Sequence, residues 1–317
     1  MKPARIVFPA FWFGKSNLQE AVELARRGVG GFCVYGGKAQ QILDFVHRMQ
    51  DVSPYGRLLF CADMADNLCE IITDAPKLPG NPQIAACSTA QDAAYRKGYM
   101  TARMALAAGL NWVLAPVVDL GYNPPAFGDN PLHVTQLAGD FTAGLSNGGA
   151  LNCIKYFPGI SGVLKTLPQL EDAEFVPYKH LFRRADAVMP SDMIFPNIDN
   201  DNQAMLSDKV LLGLLKKRLN YKGCIVSFPL CKGRLRYEEA SAVKMLHGKV
   251  ETILAPRHAN PVIDAIEREV SKGFLMDEII HAISNHEMFL SKIAAGPEPL
   301  SIEEAFAQAE KDFKKNK

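Results

Sequence analysis

Leu151-Asn152-Cys153-Ile154-Lys155-Tyr156-Phe157-Pro158-Gly159 sets the pattern of the whole chain. An apolar, strand-like run ends in a lysine, two aromatic residues and a turn-forming Pro-Gly. Lysine is expensive to bury unless it is paired. Lys155 is therefore expected either in an ion pair with a neighbouring carboxylate or in contact with a ligand. Seven more runs have the same character: 6–13, 31–35, 58–62, 112–118, 187–193, 224–228 and 252–255. Their lengths and β-branched content fit strands buried on both faces.

Helical patterns fill the gaps at 18–27, 39–49, 90–108, 134–147, 175–184, 209–219, 238–246 and 261–272. Gly28 and Gly109 each follow such a run as a stop signal. Eight strand–helix units in alternation predict an α/β fold, a single-domain (β/α)8 TIM-type barrel. An open doubly wound sheet is the alternative. It would favour a glycine-rich turn after an early strand, but Gly28-Val29-Gly30-Gly31 precedes its strand.

Two more helical patterns follow, at 277–293 and 299–313. Ser301-Ile302-Glu303-Glu304 opens the last as a capping box. Ile302, Ala305, Phe306, Ala309 and Phe313 share one face of it, which is expected to pack on the barrel or on a partner. The division expected is a barrel over 1–295 and a C-terminal helix over 296–317.

The chain has 317 residues, 48% of them hydrophobic. That suits one barrel of roughly 250 residues with additions. A formal net charge of +1 gives no global field for nucleic acid or an anionic membrane, and neither is expected as a partner. No run reaches the ~18 apolar residues of a membrane span, and no signal-peptide pattern follows the N-terminus. The 7 cysteines include no C-x-x-C pair. Buried reduced thiols in a cytoplasmic protein are expected, with no metal and no cofactor. No Gly-x-Ser-x-Gly elbow supports a serine hydrolase.

In a barrel of this kind the active site lies at the C-terminal strand ends. Those ends read Trp12 and Phe13, Tyr35, Asp63, Asp119, Lys155, Asp192, Phe228, and Arg257 with His258. Aromatic faces beside a few charged groups suit a sugar, and other small polar ligands equally. Asp119 can instead hold a loop through backbone N–H groups, Asp63 can cap a turn, and Asp192 can be a surface loop residue.

Several stretches resemble glycoside hydrolase family 3. Lys155 to Ile160 resembles K-H-F-P-G-H, with Tyr156 and Ile160 in place of the histidines. Ala108 to Asp119 is close to A-G-I-N-x-x-x-A-P-V-V-D, Gly30 to Gly36 looks like G-G-x-I-L-F-G, and Phe127 to Pro131 resembles F-G-x-D-P. The single-domain form resembles the bacterial β-N-acetylglucosaminidase branch, which acts in cell-wall recycling. A sugar or peptidoglycan fragment is the partner this implies.

Carried over residue by residue, the resemblance implies lost chemistry. The family's nucleophile is an Asp after the seventh strand, and here Phe228 stands there. The branch's His–Asp acid/base pair has no counterpart in the loop 160–166. The clamp arginine of R-S-F-G falls at Pro125. D-Q-E-G-G reads Asp63-Met64-Ala65-Asp66-Asn67, and A-H on the sixth strand reads Ser191-Asp192. A phenylalanine cannot form a glycosyl ester or stabilise an oxocarbenium ion as a carboxylate does. The expectation is a barrel without β-N-acetylglucosaminidase activity that binds ligand through Asp63, Lys155, Tyr156, Asp192 and Phe228. The alternative is an active β-glycosidase using Asp63 and Asp192 as relocated carboxylates. A Schiff base on Lys155 is a third reading, opposed by nearby carboxylates that raise the lysine pKa.

Overall fold

The computed structural model describes residues 2–66, 68–121 and 125–314. Asn67 and residues 315–317, which the sequence reading included, lie outside these. Eight parallel strands form a closed ring. β1 comes in two pieces, Val7–Phe8 and Ala10–Trp12, and is followed by β2 (Gly31–Tyr35), β3 (Leu59–Ala62) and β4 (Trp112–Val113). β5 (Cys153–Phe157), β6 (Ala187–Pro190), β7 (Cys224–Ile225) and β8 (Ile253–Leu254) complete it. The order is read from the pairings. Ala10 pairs Cys33, Phe32 pairs Phe60, and Cys61 pairs Trp112. Single bridges join Trp112 to Leu151 and Val226 to Thr252. Ile154 pairs Val188, Val188 pairs Ile225, and Phe8 pairs Leu254, which closes the circle. A closed ring leaves no open sheet edge, and the doubly wound alternative does not apply.

Alternation along each strand builds two shells. Cys33, Tyr35, Leu59, Cys61, Trp112, Leu114, Leu151, Cys153, Met189, Cys224 and Val226 form one apolar cluster inside the ring. Phe32, Val34, Phe60, Val113, Ile154, Val188 and Ile225 belong to the other, against the helices. The helix Met276–Ala294 closes the N-terminal end of the ring. Its Phe289 ring lies 5.2 Å from Trp112, and His286 meets Thr252 Oγ1 at 2.7 Å.

The C-terminal helix Ile302–Lys314 begins at the capping box, where Glu304 N donates to Ser301 Oγ at 3.2 Å. Ala305 and Ala309 are fully buried on its inner face, and the helix lies against the helix Ala90–Ala107. An element absent from the sequence reading is the antiparallel hairpin Ile194–Phe195 with Asp199–Gln203. Asp199-Asn200-Asp201-Asn202-Gln203 has no apolar residue, so no alternation announces a strand.

The β2 entry shows how tightly this ring is closed. A Cβ on Gly31 would stand 1.8 Å from the Leu59 carbonyl oxygen, a backbone atom that cannot step aside. Gly31→Ala is expected to cost about 3 kcal/mol or more, because even milder overpacking costs 1–3 kcal/mol. A urea-unfolding midpoint measures it.

Candidate functional site

The same alternation that fills the ring decides what crowns it. Along β3 the inward positions run Leu59, Cys61, Asp63. Along β5 they run Leu151, Cys153, Lys155. Along β7 they run Cys224, Val226, Phe228. Trp12 and Tyr35 crown β1 and β2 in the same way. Five of the expected rim residues therefore converge at one end of the barrel.

Lys155 Nζ donates to Asp63 Oδ1 at 2.7 Å. The lysine side chain is 1% exposed and that of Asp63 32%. Burial opposes the Lys155 charge. The Asp63 carboxylate and its hydrogen bond outweigh burial, and the ammonium is held above the ordinary lysine range. A lysine held charged in an ion pair is a poor amine nucleophile, which weighs against the Schiff-base reading.

A register shift between Lys155 and Phe157 lets Tyr156 join the mouth as well. Its ring packs on Phe228 with centroids 5.6 Å apart. The two aromatics pack on the inner cluster beside the ion pair, with Lys155 Nζ 5.0 Å from the Tyr156 ring. The open space lies to one side. A cavity of about 570 Å³ is bounded by Trp12, Tyr35, Asp63, Asp66, Tyr156 and Lys232, among others. Lys155, Asp192 and Phe228 do not bound it. Lys155 is turned into its ion pair. On β6 the inward positions are Ala187 and Met189; the strand ends at Pro190, and Asp192 lies half-buried in the bend beyond it. Trp12 and Tyr35 stack on each other, centroids 3.8 Å apart and planes within 7°. Lys15 Nζ lies 5.8 Å from the Trp12 ring and Lys232 Nζ 4.8 Å from the Tyr35 ring.

Asp119 has the loop-holding role. It is 8% exposed and accepts from Ile160 N at 3.0 Å and Tyr156 N at 3.3 Å. Burial pushes its carboxyl from the ordinary 3.8 up to about 7, although the two N–H groups pull the other way. Glu174 lies beneath the same loop and accepts from Ser161 Oγ and Lys165 Nζ. Gly159 fits between them, since a Cβ there would stand 2.6 Å from Glu174 Cγ. Arg257 is held at the mouth by Glu238, at 2.6 Å.

A carboxyl with a raised folded pKa binds protons that the unfolded chain has released. Its contribution to stability is therefore present at low pH and is lost as pH climbs from the ordinary 3.8 through about 7. Asp119→Asn is expected to flatten the fall in stability across that window, read from urea midpoints at about pH 5 and about pH 8.

The sequence reading missed Asp66 and Lys232, which border this cavity, and Lys97, the buried partner of Asp66. Lys97 is 1% exposed in the helix Ala90–Ala107, and burial lowers its pKa to about 8 against the pull of Asp66. A signal was available. Lys97 shares a helical face with Ala93, Met100, Thr101 and Met104, all buried. A lysine on an apolar stripe asks for a partner. Nothing in the sequence announces Lys232, because an exposed lysine in a loop is ordinary.

All seven cysteines are free thiols, with Cys33, Cys61, Cys153 and Cys224 buried inside the ring. Among the described residues no helix is long and apolar enough to cross a membrane, and no cluster of three or more His, Cys, Asp or Glu could hold a metal ion.

Comparison with known proteins gives a consistent result. Residues 5–286 match the glycosyl hydrolase family 3 N terminal domain. An uncharacterized secreted glycosyl hydrolase of Arthroderma benhamiae is 29% identical over 245 residues, covering 68% of this chain and 67% of the relative. A beta-hexosaminidase of Photobacterium profundum is 30% identical over 150 residues, covering 42% of this chain and 45% of the relative. The chain thus spans under half the length of that curated relative. The solved family 3 beta-N-acetylglucosaminidase of a Paenibacillus species superposes with a TM-score of 0.84 at 20% identity, over 98% of this chain and 67% of that one. At that identity the likeness establishes the fold, a TIM-type barrel.

Proposed function

The chain belongs to glycosyl hydrolase family 3, matching its N-terminal domain, and from that premise we propose that it binds a saccharide without hydrolysing β-N-acetylglucosaminides. The observation that carries this reading is Phe228. It crowns β7, where the family resemblance calls for the nucleophilic Asp, and packs on Tyr156 with ring centroids 5.6 Å apart. Two further features support it. The loop after Gly159 holds a short turn, Ile160–Gly162, and has neither His nor Asp to act as acid/base. Asp63, a carboxylate at the mouth, already answers a buried lysine.

The relatives named above include a beta-hexosaminidase and a beta-N-acetylglucosaminidase, so an N-acetylhexosamine or a peptidoglycan fragment heads the ligands to try. Asp63 and Tyr156 border the open cavity and are its proposed contacts. Lys155 acts through Asp63, and Phe228 through Tyr156. Asp192 has no part in this reading. The proposed setting is bacterial and cytoplasmic. Seven free thiols suit a reducing compartment, although the Arthroderma relative is described as secreted. The proposed division keeps 1–295 as the barrel and 296–317 as an accessory segment.

A calorimetric titration with N-acetylglucosamine, chitobiose and soluble muropeptides tests the binding arm. Expected is saturable heat with the ligand recovered intact. Recovery of cleaved ligand, or no binding across the series, would overturn the reading.

A further inference from the structure

We infer that Asp66 is a second ligand-binding carboxylate of the cavity, and that Asp63 and Asp66 together select a neutral saccharide by accepting from two of its hydroxyls. This rests on the saccharide-binding reading and specifies its ligand. Nothing in the family resemblance points to Asp66, because the position answers to a glycine of D-Q-E-G-G.

The two carboxylates are built alike. Asp63 gives Oδ1 to Lys155 Nζ at 2.7 Å, and Asp66 gives Oδ1 to Lys97 Nζ at 3.1 Å. Both lysines are 1% exposed. Asn81 is fully buried and fixes the second pair. Its side-chain Oδ1 accepts from Lys97 Nζ at 2.7 Å, and its backbone N donates to Asp66 Oδ1 at 2.5 Å. Both donors to Asp66 among the described residues thus converge on Oδ1. Among the described residues neither Asp63 Oδ2 nor Asp66 Oδ2 has a hydrogen-bond partner. Both residues border the cavity of about 570 Å³, three positions apart on one loop.

A lone surface aspartate needs no such support. Among the described residues each carboxylate is held by one oxygen and offers the other. An ionised carboxylate is an acceptor only, so the ligand must donate. Each negative charge is already balanced by its own lysine, so a cationic ligand gains little, and an anionic one meets two free acceptor oxygens. Neutral hydroxyls fit best. Lys232 is exposed at the lip over the Tyr35 ring and supplies a donor for the ligand's own acceptors. The rigid backing matters as well. Lys97 sits in the helix Ala90–Ala107 and Asn81 opens the helix Asn81–Ala85, so Asp66 is positioned before any ligand arrives.

The test is titration calorimetry at about pH 7 with glucose, N-acetylglucosamine, glucosamine and glucuronate, on the native chain and on Asp66→Asn and Asp63→Asn. Each variant is first matched to the native chain by circular dichroism. A charge-assisted hydrogen bond is worth 1.5–3 kcal/mol, so each variant should lose about tenfold or more in affinity for the neutral sugar that binds best. Protonated glucosamine and glucuronate should bind more weakly than their neutral counterpart. Monodeoxy forms of the binding sugar give a readout that does not depend on variant stability. One of them should lose affinity for the native chain and show no further loss with Asp66→Asn. Binding lost in Asp63→Asn but unchanged in Asp66→Asn would overturn the inference alone, as would preference for either charged sugar. If no sugar binds the native chain, the saccharide reading falls and the inference falls with it.

Discussion

Asp63→Ala is expected to destabilise the protein by about 3–5 kcal/mol, the cost of stranding a buried charge whose partner is removed. The size follows from the asymmetry of the pair. Lys155 is 1% exposed and cannot recover water, whereas Asp63 at 32% can. Lys155→Met is therefore expected to cost less than Asp63→Ala, since the carboxylate left behind rehydrates. The double variant should recover much of the loss, because replacing both partners removes the stranded charge. The pH dependence has a definite sign. Without Asp63, burial should push the Lys155 pKa below its ordinary value. The folded variant then binds fewer protons than the unfolded chain, and its stability rises with pH between about 7 and 10. Urea midpoints of the four proteins across that range measure both effects. Equal costs for the two single variants would mean that the pair is not buried as described.

Phe228→Asp is expected to yield no glycosidase. It restores a carboxylate where the family resemblance calls for one, but supplies no proton to the leaving oxygen. General acid–base catalysis is worth about 10²–10⁴-fold, and the loop 160–166 offers only Lys165 as a titratable side chain. Lys165 Nζ already donates to the buried Glu174 at 2.6 Å. The variant is also expected to unfold earlier, because a carboxylate would replace the ring packed on Tyr156. Release of 4-nitrophenol from its β-N-acetylglucosaminide, run with a thermal melt, reads both. Turnover by this variant would show that the acid/base function survives on another residue.

Much of the barrel is legible in the sequence because its signals are local. The helices Leu18–Arg27 and Ala90–Ala107 lie where their apolar stripes and following glycines put them. The strand ends could be read because alternation carries Asp63, Lys155 and Phe228 into one layer, whatever the loops do. Asp192 was harder, since it lies in the bend beyond the last residue of β6, where strand alternation no longer applies. Whether Lys155 met a carboxylate or a ligand could not be read along the chain. Its partner Asp63 is 92 positions away. Asp66 was hidden for the same reason. Its meaning comes from Lys97 and Asn81, which the fold brings to it from two separate helices.

The most direct test is turnover by the native protein itself. Purified chain is incubated with 4-nitrophenyl β-N-acetylglucosaminide and with chitobiose, beside Asp63→Asn and Asp192→Asn. Expected is no release above the buffer blank from any of the three. Robust hydrolysis by the native chain, abolished in either variant, would contradict the non-hydrolytic reading and assign the chemistry to relocated carboxylates.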